Sequence, residues 1–181
     1  MARISGITKK EDLAAVHHPV FDAIAESRGE VRGPFTMLLH SPELASRVSH
    51  LGAYVRFDSN LDGRLKELVI LTIARELDCQ FEWSMHAMLA RKAGISDACV
   101  DAIADHREPQ VTNDEASICA YVRELLQTHR VSGPTFTAVE KVLGAKGCVE
   151  LSGLVGYYAM LACVLNALEV DPAPTGEVLK T

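Results

Sequence analysis

Aromatic residues are scarce in this sequence, making up 6% of its 181 residues with a single Trp. Proteins that hold single-stranded nucleic acid stack bases on aromatic side chains, so this scarcity argues against a stacking platform. It also argues against a β-sandwich. An excess of basic charge is lacking too, because 18 Lys and Arg stand against 24 Asp and Glu, a net charge of −6. We therefore expect no nucleic-acid partner and no binding to an anionic membrane surface.

Long apolar runs are missing as well. No stretch approaches 18 uninterrupted apolar residues, and the run over 68–74 is short and contains Thr72, so the sequence predicts no membrane-spanning helix. The first ten residues carry charge without an apolar segment, which does not fit a secretory signal. The five cysteines are odd in number, and no two form a C-x-x-C pair. We expect a reduced, cytoplasmic protein that holds no metal.

Motifs for nucleotide cofactors are also lacking, since there is neither a G-x-G-x-x-G after a strand nor a P-loop, and we expect no cofactor. What the sequence does contain is helical periodicity almost throughout. Val and Ile fall within this period and not in alternation, so no strand is expected. Gly, Pro and capping residues divide the pattern into helices over 11–27, 42–56, 64–77, 79–93, 96–105, 113–129, 133–144 and 147–168.

The predicted fold class is therefore all-α, a bundle of about eight helices in a single domain over residues 1–181. A faint echo between Lys66-Glu67-Leu68 and Val149-Glu150-Leu151 leaves two similar helical halves open. Two prolines in the final segment predict a disordered tail from about residue 171.

One stretch combines ionisable residues at helical spacing, namely Cys79, Glu82 and His86. On a helix these three positions lie within about 60° of one another and share one stripe. The residues expected in water fall on the opposite side of the same helix: Gln80, Ser84, Arg91 and Lys92. The three ionisable groups are thus predicted to face small and apolar residues, away from water.

Burial of these groups has chemical consequences. Desolvation raises the pKa of a carboxyl and lowers that of an imidazole, so Glu82 and His86 are suited to sharing a proton near neutral pH. If the chain breaks at Asp78, Cys79 begins a helix, where the dipole favours a thiolate. Glu67 interrupts an apolar run and needs a partner. The structural alternative is an ordinary i,i+4 pair between Glu82 and His86 beside an inert core thiol.

These residues resemble the carboxymuconolactone decarboxylase family, which includes alkylhydroperoxidase D. The resemblance is clearest over about 33–95, in Gly33-Pro34, His40-Ser41-Pro42-Glu43-Leu44, Lys66-Glu67-Leu68-Val69-Ile70-Leu71, Cys79-x-x-Glu82-x-x-x-His86 and Arg91-Lys92-Ala93-Gly94-Ile95-Ser96. Residues 150–166 are similar to the closing helix of full-length members. The resemblance implies an alkylhydroperoxidase D-like helical bundle, assembly as a homo-oligomer (trimer or hexamer), and a site near a subunit interface.

The peroxidase members of this family have a Cys-x-x-Cys in this place. By resemblance, Glu67 corresponds to the proton-relay Glu, Cys79 to the first Cys and His86 to the relay His. Glu82 stands where the second Cys, which attacks peroxide, would be. A carboxylate cannot reduce a peroxide or close a disulfide with Cys79. The decarboxylase branch has acid–base residues at positions like Glu82 and His86.

Three functions are compatible with this pattern. The first is a cofactor-free decarboxylase or isomerase acting on a small carboxylated lactone or related organic acid. The second is a peroxidase that uses Cys79 as its single reactive thiol, and the third is a non-catalytic helical oligomer that binds a small hydrophobic ligand. The candidate catalytic residues are Glu67, Cys79, Glu82 and His86. The candidate substrate-binding residues are Tyr54, Trp83 and Arg75.

Overall fold

The computed structural model describes residues 2–172 and 176–179, and every regular element in them is helical. The α-helices in these residues are α1 His18–Arg28, α2 Pro34–Leu38, α3 Pro42–Ala53, α4 Gly63–Glu76, α5 Gln80–Lys92, α6 Asp97–Ala104, α7 Asn113–Thr128 and α8 Gly133–Ala167. Two 3-10 turns, Lys10–Asp12 and Ala15–His17, precede α1, and a π-helical turn, Tyr54–Asp58, follows α3. The all-α prediction of about eight helices is confirmed.

The first helix begins later than predicted. Periodicity over 11–27 predicts one continuous helix, but the chain forms two 3-10 turns and α1 begins only at His18. Pro19 explains the difference, because proline lacks an N–H and clashes with a preceding helical turn, so it fits only at the start of a helix. α3 is likewise shorter than the predicted 42–56, since the π-helical turn takes over at Tyr54.

Capping residues fix the start of the central helices. Asp62 accepts hydrogen bonds at Oδ1 from the backbone N–H groups of Arg64 and Leu65 at the start of α4. α7 begins with a reciprocal capping box between Thr112 and Glu115. Each cap satisfies backbone donors that the first turn of a helix leaves unpaired.

The last helix is broken at Gly144. Its φ of 66° and ψ of 174° are not helical, so α8 is two helical segments in sequence, as the glycine there predicts. By length and composition α8 would suffice to cross a membrane, with a mean hydropathy of 1.7 over 18 residues. However, 56% of that window is buried within the protein, as in the core helix of a soluble protein. One such helix is therefore a weak indication of membrane insertion.

The chain divides into two compact units, and the single domain stays a prediction. The first unit comprises Met1–Ser59 and Cys163–Asp171. Arg3 joins the two segments of this unit, because its N–H donates to the carbonyl of Leu168 at 2.8 Å and its guanidinium pairs with Glu169 at 2.7 Å.

The second unit comprises Asn60–Ala162 and Pro172–Thr181. α4 is buried around most of its circumference, as its all-round apolar sequence predicts. A core cluster of α4 to α7 surrounds Trp83 and includes Leu68, Leu71, Ala87, Val100, Ile103 and Cys119. Glu67, Cys79, Glu82 and His86 all lie in this unit, so its packing positions the candidate site.

The described end of the chain packs on α5. The side-chain amide of Gln80 donates to the carbonyl of Glu177 at 2.9 Å and accepts from the N–H of Leu179 at 2.7 Å. Arg91 pairs with Glu177 at 2.6 Å, and Leu179 is buried in the cluster around Trp83. These contacts differ from the predicted disordered tail, whose other residues, 173–175, 180 and 181, lie outside the described residues.

This packing corrects one further expectation. Ser84 is expected in water, yet it is only 4% exposed, and Gln80 is occupied by the chain end. The described end of the chain therefore covers part of the outer face of α5.

Candidate functional site

The turn between α4 and α5 places Cys79 at the start of the second helix. The chain breaks at Asp78, as expected, in a left-handed conformation with a φ of 46°. Cys79 then occupies the N-cap position of α5, and its carbonyl accepts the N–H of Trp83 at 3.0 Å. Cys79 is fully buried, at 0% exposure.

A buried imidazole lies between two carboxylates in this unit. Nδ1 of His86 on α5 is 2.6 Å from Oε2 of Glu67 on α4, and Nε2 of His86 is 3.4 Å from Oε2 of Glu82. His86 is 4% exposed and Glu82 is 5% exposed. The structure thus supplies the partner that Glu67 was expected to need, and it brings together the residues predicted to share one stripe. We call Glu67, Glu82 and His86 the carboxylate–imidazole triad.

The triad controls the charge of its imidazole. Burial on its own lowers the pKa of His86, but its hydrogen bonds to Glu67 and Glu82, together with the negative charges of these carboxylates, raise it, and the net pKa lies above the ordinary value. The two carboxylates therefore stabilise an imidazolium inside the protein. An imidazole in contact with an acceptor on each side can pass a proton from one carboxyl to the other.

This raised pKa makes stability depend on pH in a defined direction. A folded-state pKa above the unfolded value of about 6.5 means that the stabilisation is fully present below about pH 6.5 and is lost as pH rises through the folded pKa. We expect wild-type protein to lose more unfolding free energy between about pH 6 and about pH 9 than the variant His86→Gln, in urea titrations. An equal loss in both proteins would contradict this linkage.

Two tyrosines of α8 form a wall beside the triad. The ring of Tyr158 meets His86 edge-on, with centroids 5.4 Å apart, and Tyr157 packs edge-on against Tyr158 at 5.3 Å. Both tyrosines are buried. Nothing in the sequence connects either tyrosine to His86, and the one signal was their place in residues 150–166, the segment similar to the closing helix of the family. An aromatic wall keeps water from the imidazole.

The three residues expected to contact the substrate lie in different surroundings. Arg75 is buried and bonded to Asp78 and His106. Trp83 is 0% exposed in the core cluster, and its indole N–H has no hydrogen-bond partner in the part of the chain that the structure describes. Tyr54 lies in the first unit, in the π-helical turn, with its side chain partly exposed. Their roles stay predictions.

A cleft of about 410 Å³ opens on the other face of α5. Its lining residues are Ser84, Met85, Met88, Arg91, Lys92, Gly176 and Glu177, and no triad residue is among them. Within the described residues, no group of three or more His, Cys, Asp or Glu is arranged to hold a metal ion. The contacts of the triad, an imidazole with a carboxylate on each side, are suited to proton transfer.

The fold matches that of alkylhydroperoxidase D-like proteins. A peroxidase-related protein of Ralstonia eutropha JMP134 with an alkylhydroperoxidase AhpD core matches with a TM-score of 0.79 and 12% identity, over 96% of this chain and 93% of that chain. A protein of unknown function from Agrobacterium tumefaciens, provisionally assigned to antioxidant defence as AhpD, matches with a TM-score of 0.69 and 19% identity. That match covers 78% of this chain and 99% of the other.

A third solved structure is the debrominase Bmp8, a cysteine-to-alanine variant in complex with 2,3,4-tribromopyrrole. It matches with a TM-score of 0.77 and 13% identity, over 97% of this chain and 95% of that chain. Residues 42–123 match the model of the carboxymuconolactone decarboxylase family, which confirms the resemblance that the motifs indicate. No match to a curated protein was found by sequence.

Proposed function

We propose that this protein is a cofactor-free decarboxylase that uses general acid–base chemistry on a small carboxylated lactone or related organic acid. The observation that supports the proposal is the triad, in which Glu67 and Glu82 flank the buried imidazole of His86 at 2.6 Å and 3.4 Å. Positioned proton donors of this kind accelerate reactions by about 10² to 10⁴. The family match over 42–123 is consistent with this reaction class.

The proposed reaction needs one proton at one carbon. The bond between the substrate's carboxylate carbon and the neighbouring ring carbon breaks, and CO2 leaves without the bonding electrons. That electron pair stays on the ring carbon, delocalised into the lactone carbonyl, and takes a proton from Glu82 or from His86. Glu67 holds Nδ1 of His86, which fixes the tautomer and returns a proton to the relay from water.

The other candidate residues have supporting roles in this proposal. Cys79, at the start of α5, borders the proposed substrate site or assists the proton transfer. Tyr54, Trp83 and Arg75 stay proposed substrate contacts, and Arg75 would have to release one of its protein partners to receive a substrate carboxylate. We further propose a cytoplasmic homo-oligomer, a trimer or a hexamer, with no metal, no nucleic-acid partner and no membrane partner.

A decarboxylation assay tests the proposal directly. We expect purified protein to release CO2 from carboxylated γ-lactones, and Glu82→Gln to lower the rate by about 10² because the amide cannot donate a carboxyl proton. Glu150→Gln is the matched control, since Glu150 is another buried carboxylate of the same unit, bonded to the N–H of Asn60 at 3.1 Å. Equal rates for the wild type and Glu82→Gln would contradict the proposal.

The second candidate is a peroxidase that uses Cys79 alone, and the position of this thiol at the N-terminus of α5 favours it. Full burial of Cys79 and the carboxylate of Glu82 beside His86 weigh against it. Titration of thiols with and without hydroperoxide separates the two, because only the peroxidase consumes the Cys79 thiol. Tight binding of lactones without turnover would instead favour a ligand-binding protein.

A further inference from the structure

Arg75 is a buried cation that holds two residues from different parts of the chain. Its Nη2 lies 2.8 Å from Oδ1 of Asp78, just beyond α4, and its Nε donates to Nε2 of His106, beyond α6, at 2.8 Å. The Arg75 side chain is 8% exposed and the Asp78 side chain 64% exposed. The rigid guanidinium thus joins two turns that are 28 residues apart in sequence.

The turn at Asp78 is a Schellman motif with an unusual residue at its key position. The N–H of Asp78 donates to the carbonyl of Arg75 at 3.2 Å, and the N–H of Cys79 donates to that of Ala74 at 2.8 Å. This pattern requires a left-handed residue after the helix, which is usually glycine. Asp78 adopts it with a φ of 46°, although its Cβ is disfavoured there.

The turn at His106 repeats the same motif. Its N–H donates to the carbonyl of Ile103 at 3.1 Å, and the N–H of Arg107 donates to that of Ala102 at 2.7 Å. The φ of His106 is 53°, again left-handed without glycine. Nε2 of the His106 ring is the acceptor in the bond from Arg75.

The end of α5 shows what these turns look like without such a clamp. Gly94 occupies the left-handed position with a φ of 87°. Its N–H donates to the carbonyl of Arg91, and the N–H of Ile95 donates to the carbonyl of Ala90, each at 3.0 Å. Glycine adopts this conformation at little cost and needs no side-chain partner. Asp78 and His106 occupy this position without glycine, and both contact Arg75. The turn at Glu169, with a φ of 51°, closes in the same way without glycine, and its side chain pairs with a different arginine, Arg3.

We propose that Arg75 is a positioning residue, which fixes the left-handed turn at Asp78 and thereby the placement of Cys79 at the start of the helix that carries Glu82 and His86. The inference rests on the proposed function for its catalytic consequence. Its structural content, a local clamp on the turn before Cys79, stands independently of the substrate. The bond from Arg75 to His106 anchors the clamp to the end of α6.

Alkylation of individual cysteines measures this clamp without reference to activity. Iodoacetamide labelling of the native protein, read peptide by peptide by mass spectrometry, gives a rate for each thiol. Cys163 is exposed and reports that the reagent is active. Cys99 and Cys119 are buried in the core cluster and report general unfolding; burial raises the pKa of Cys99 and raises that of Cys119 to about 11.

The Asp78 variants separate backbone strain from the side-chain bond. Asp78→Ala removes the carboxylate and keeps a Cβ at left-handed φ, so Cys79 is expected to react about tenfold faster, with Cys99 and Cys119 unchanged. Asp78→Asn should restore the wild-type rate, because asparagine tolerates this conformation and its amide oxygen accepts from Arg75. Since Asp78 is largely exposed at the surface, both variants are expected to fold.

The Arg75 variants test the clamp itself. Arg75→Met should accelerate Cys79 labelling about as much as Asp78→Ala does. Arg75→Lys should bring the labelling rate only part of the way back to the wild-type rate, because an ammonium lacks the fork that bonds two partners. Unchanged Cys79 labelling in Asp78→Ala would overturn the proposal, as would equal acceleration of Cys79, Cys99 and Cys119. The variants Asp78→Ala and Asp78→Asn test the clamp even if Arg75→Met fails to fold.

Activity measurements then separate this inference from the proposed function. If the decarboxylase assignment holds, CO2 release falls in Asp78→Ala and returns in Asp78→Asn, in parallel with Cys79 labelling. If Cys79 labelling is selectively faster in Asp78→Ala but the wild type releases no CO2, the proposed function is contradicted and the clamp is supported. If the wild type releases CO2 but Cys79 in Asp78→Ala is labelled at the wild-type rate, the clamp is overturned and the proposed function is not.

Discussion

Replacing His86 with Gln or with Asn is expected to lower decarboxylation by about 10⁴, the upper end of what one acid–base group supplies. His86 is the one triad member that contacts both carboxylates, so its loss interrupts proton transfer from Glu67 to Glu82 as well as any direct donation. The effect should therefore exceed that of Glu82→Gln. CO2 release under saturating lactone measures it.

The two amide variants test the two ring nitrogens of His86 separately while keeping a polar side chain at this position. Asn places its amide near the position of Nδ1, next to Glu67, whereas Gln reaches toward the position of Nε2, next to Glu82, and neither amide titrates. His86→Ala is a poorer probe, because it leaves two buried carboxylates facing a cavity. Equal losses in both amide variants identify the titrating ring as the important group.

A histidine elsewhere provides the control. His129 ends α7 with a φ of 62°, a left-handed conformation that asparagine tolerates, so His129→Asn changes an imidazole without backbone strain. This variant should keep wild-type turnover. If either His86 variant retained more than about a tenth of the wild-type rate, the ring would not carry the rate enhancement expected of an acid–base group.

The sequence predicted the inner face of α5 correctly because that face depends on local spacing. Cys79, Glu82 and His86 share one stripe for any helix of this register, and the position of Glu67 within the apolar run of α4 indicates a buried partner. The break at Asp78 followed from the same reasoning. These features depend on residues within about one helix and its neighbour.

The features that sequence reasoning missed depend on distant contacts. The partners of Gln80 at the chain end are 97 and 99 residues away, and Tyr158 meets His86 from α8. The bond from Arg75 to His106, 31 residues along the chain, likewise leaves no periodic signal in the sequence. Tertiary packing of this kind overrides local pattern, which predicts elements better than the contacts between them.

Glu82→Cys is expected to convert the site to peroxide chemistry, because it creates the Cys-x-x-Cys that the peroxidase members of the family carry. Positions 79 and 82 are three residues apart in the first turn of α5, where a disulfide can close and where the helix dipole favours a thiolate. The His86 and Glu67 pair beside them is placed to accept the thiol proton.

The expected reaction balances without a cofactor. The thiolate introduced at position 82 attacks the hydroperoxide, the O–O bond breaks, and the alcohol leaves with one proton. The Cys79 thiol then attacks the resulting sulfenic acid, water leaves, and a disulfide remains that an added dithiol reduces. We expect peroxide consumption at least about tenfold above the background, together with loss of decarboxylation because the carboxyl donor is gone.

Glu82→Ser is the matched control, since it removes the same carboxylate and introduces a hydroxyl in place of the thiol. Mass spectrometry of the peroxide-treated Glu82→Cys protein should show the disulfide in the peptide that contains Cys79, and no such product in the wild type. Equal peroxide consumption by Glu82→Cys and Glu82→Ser would show that Cys79 and position 82 do not form a redox pair. In that case the difference between the peroxidase members and this chain would extend beyond the single carboxylate of Glu82.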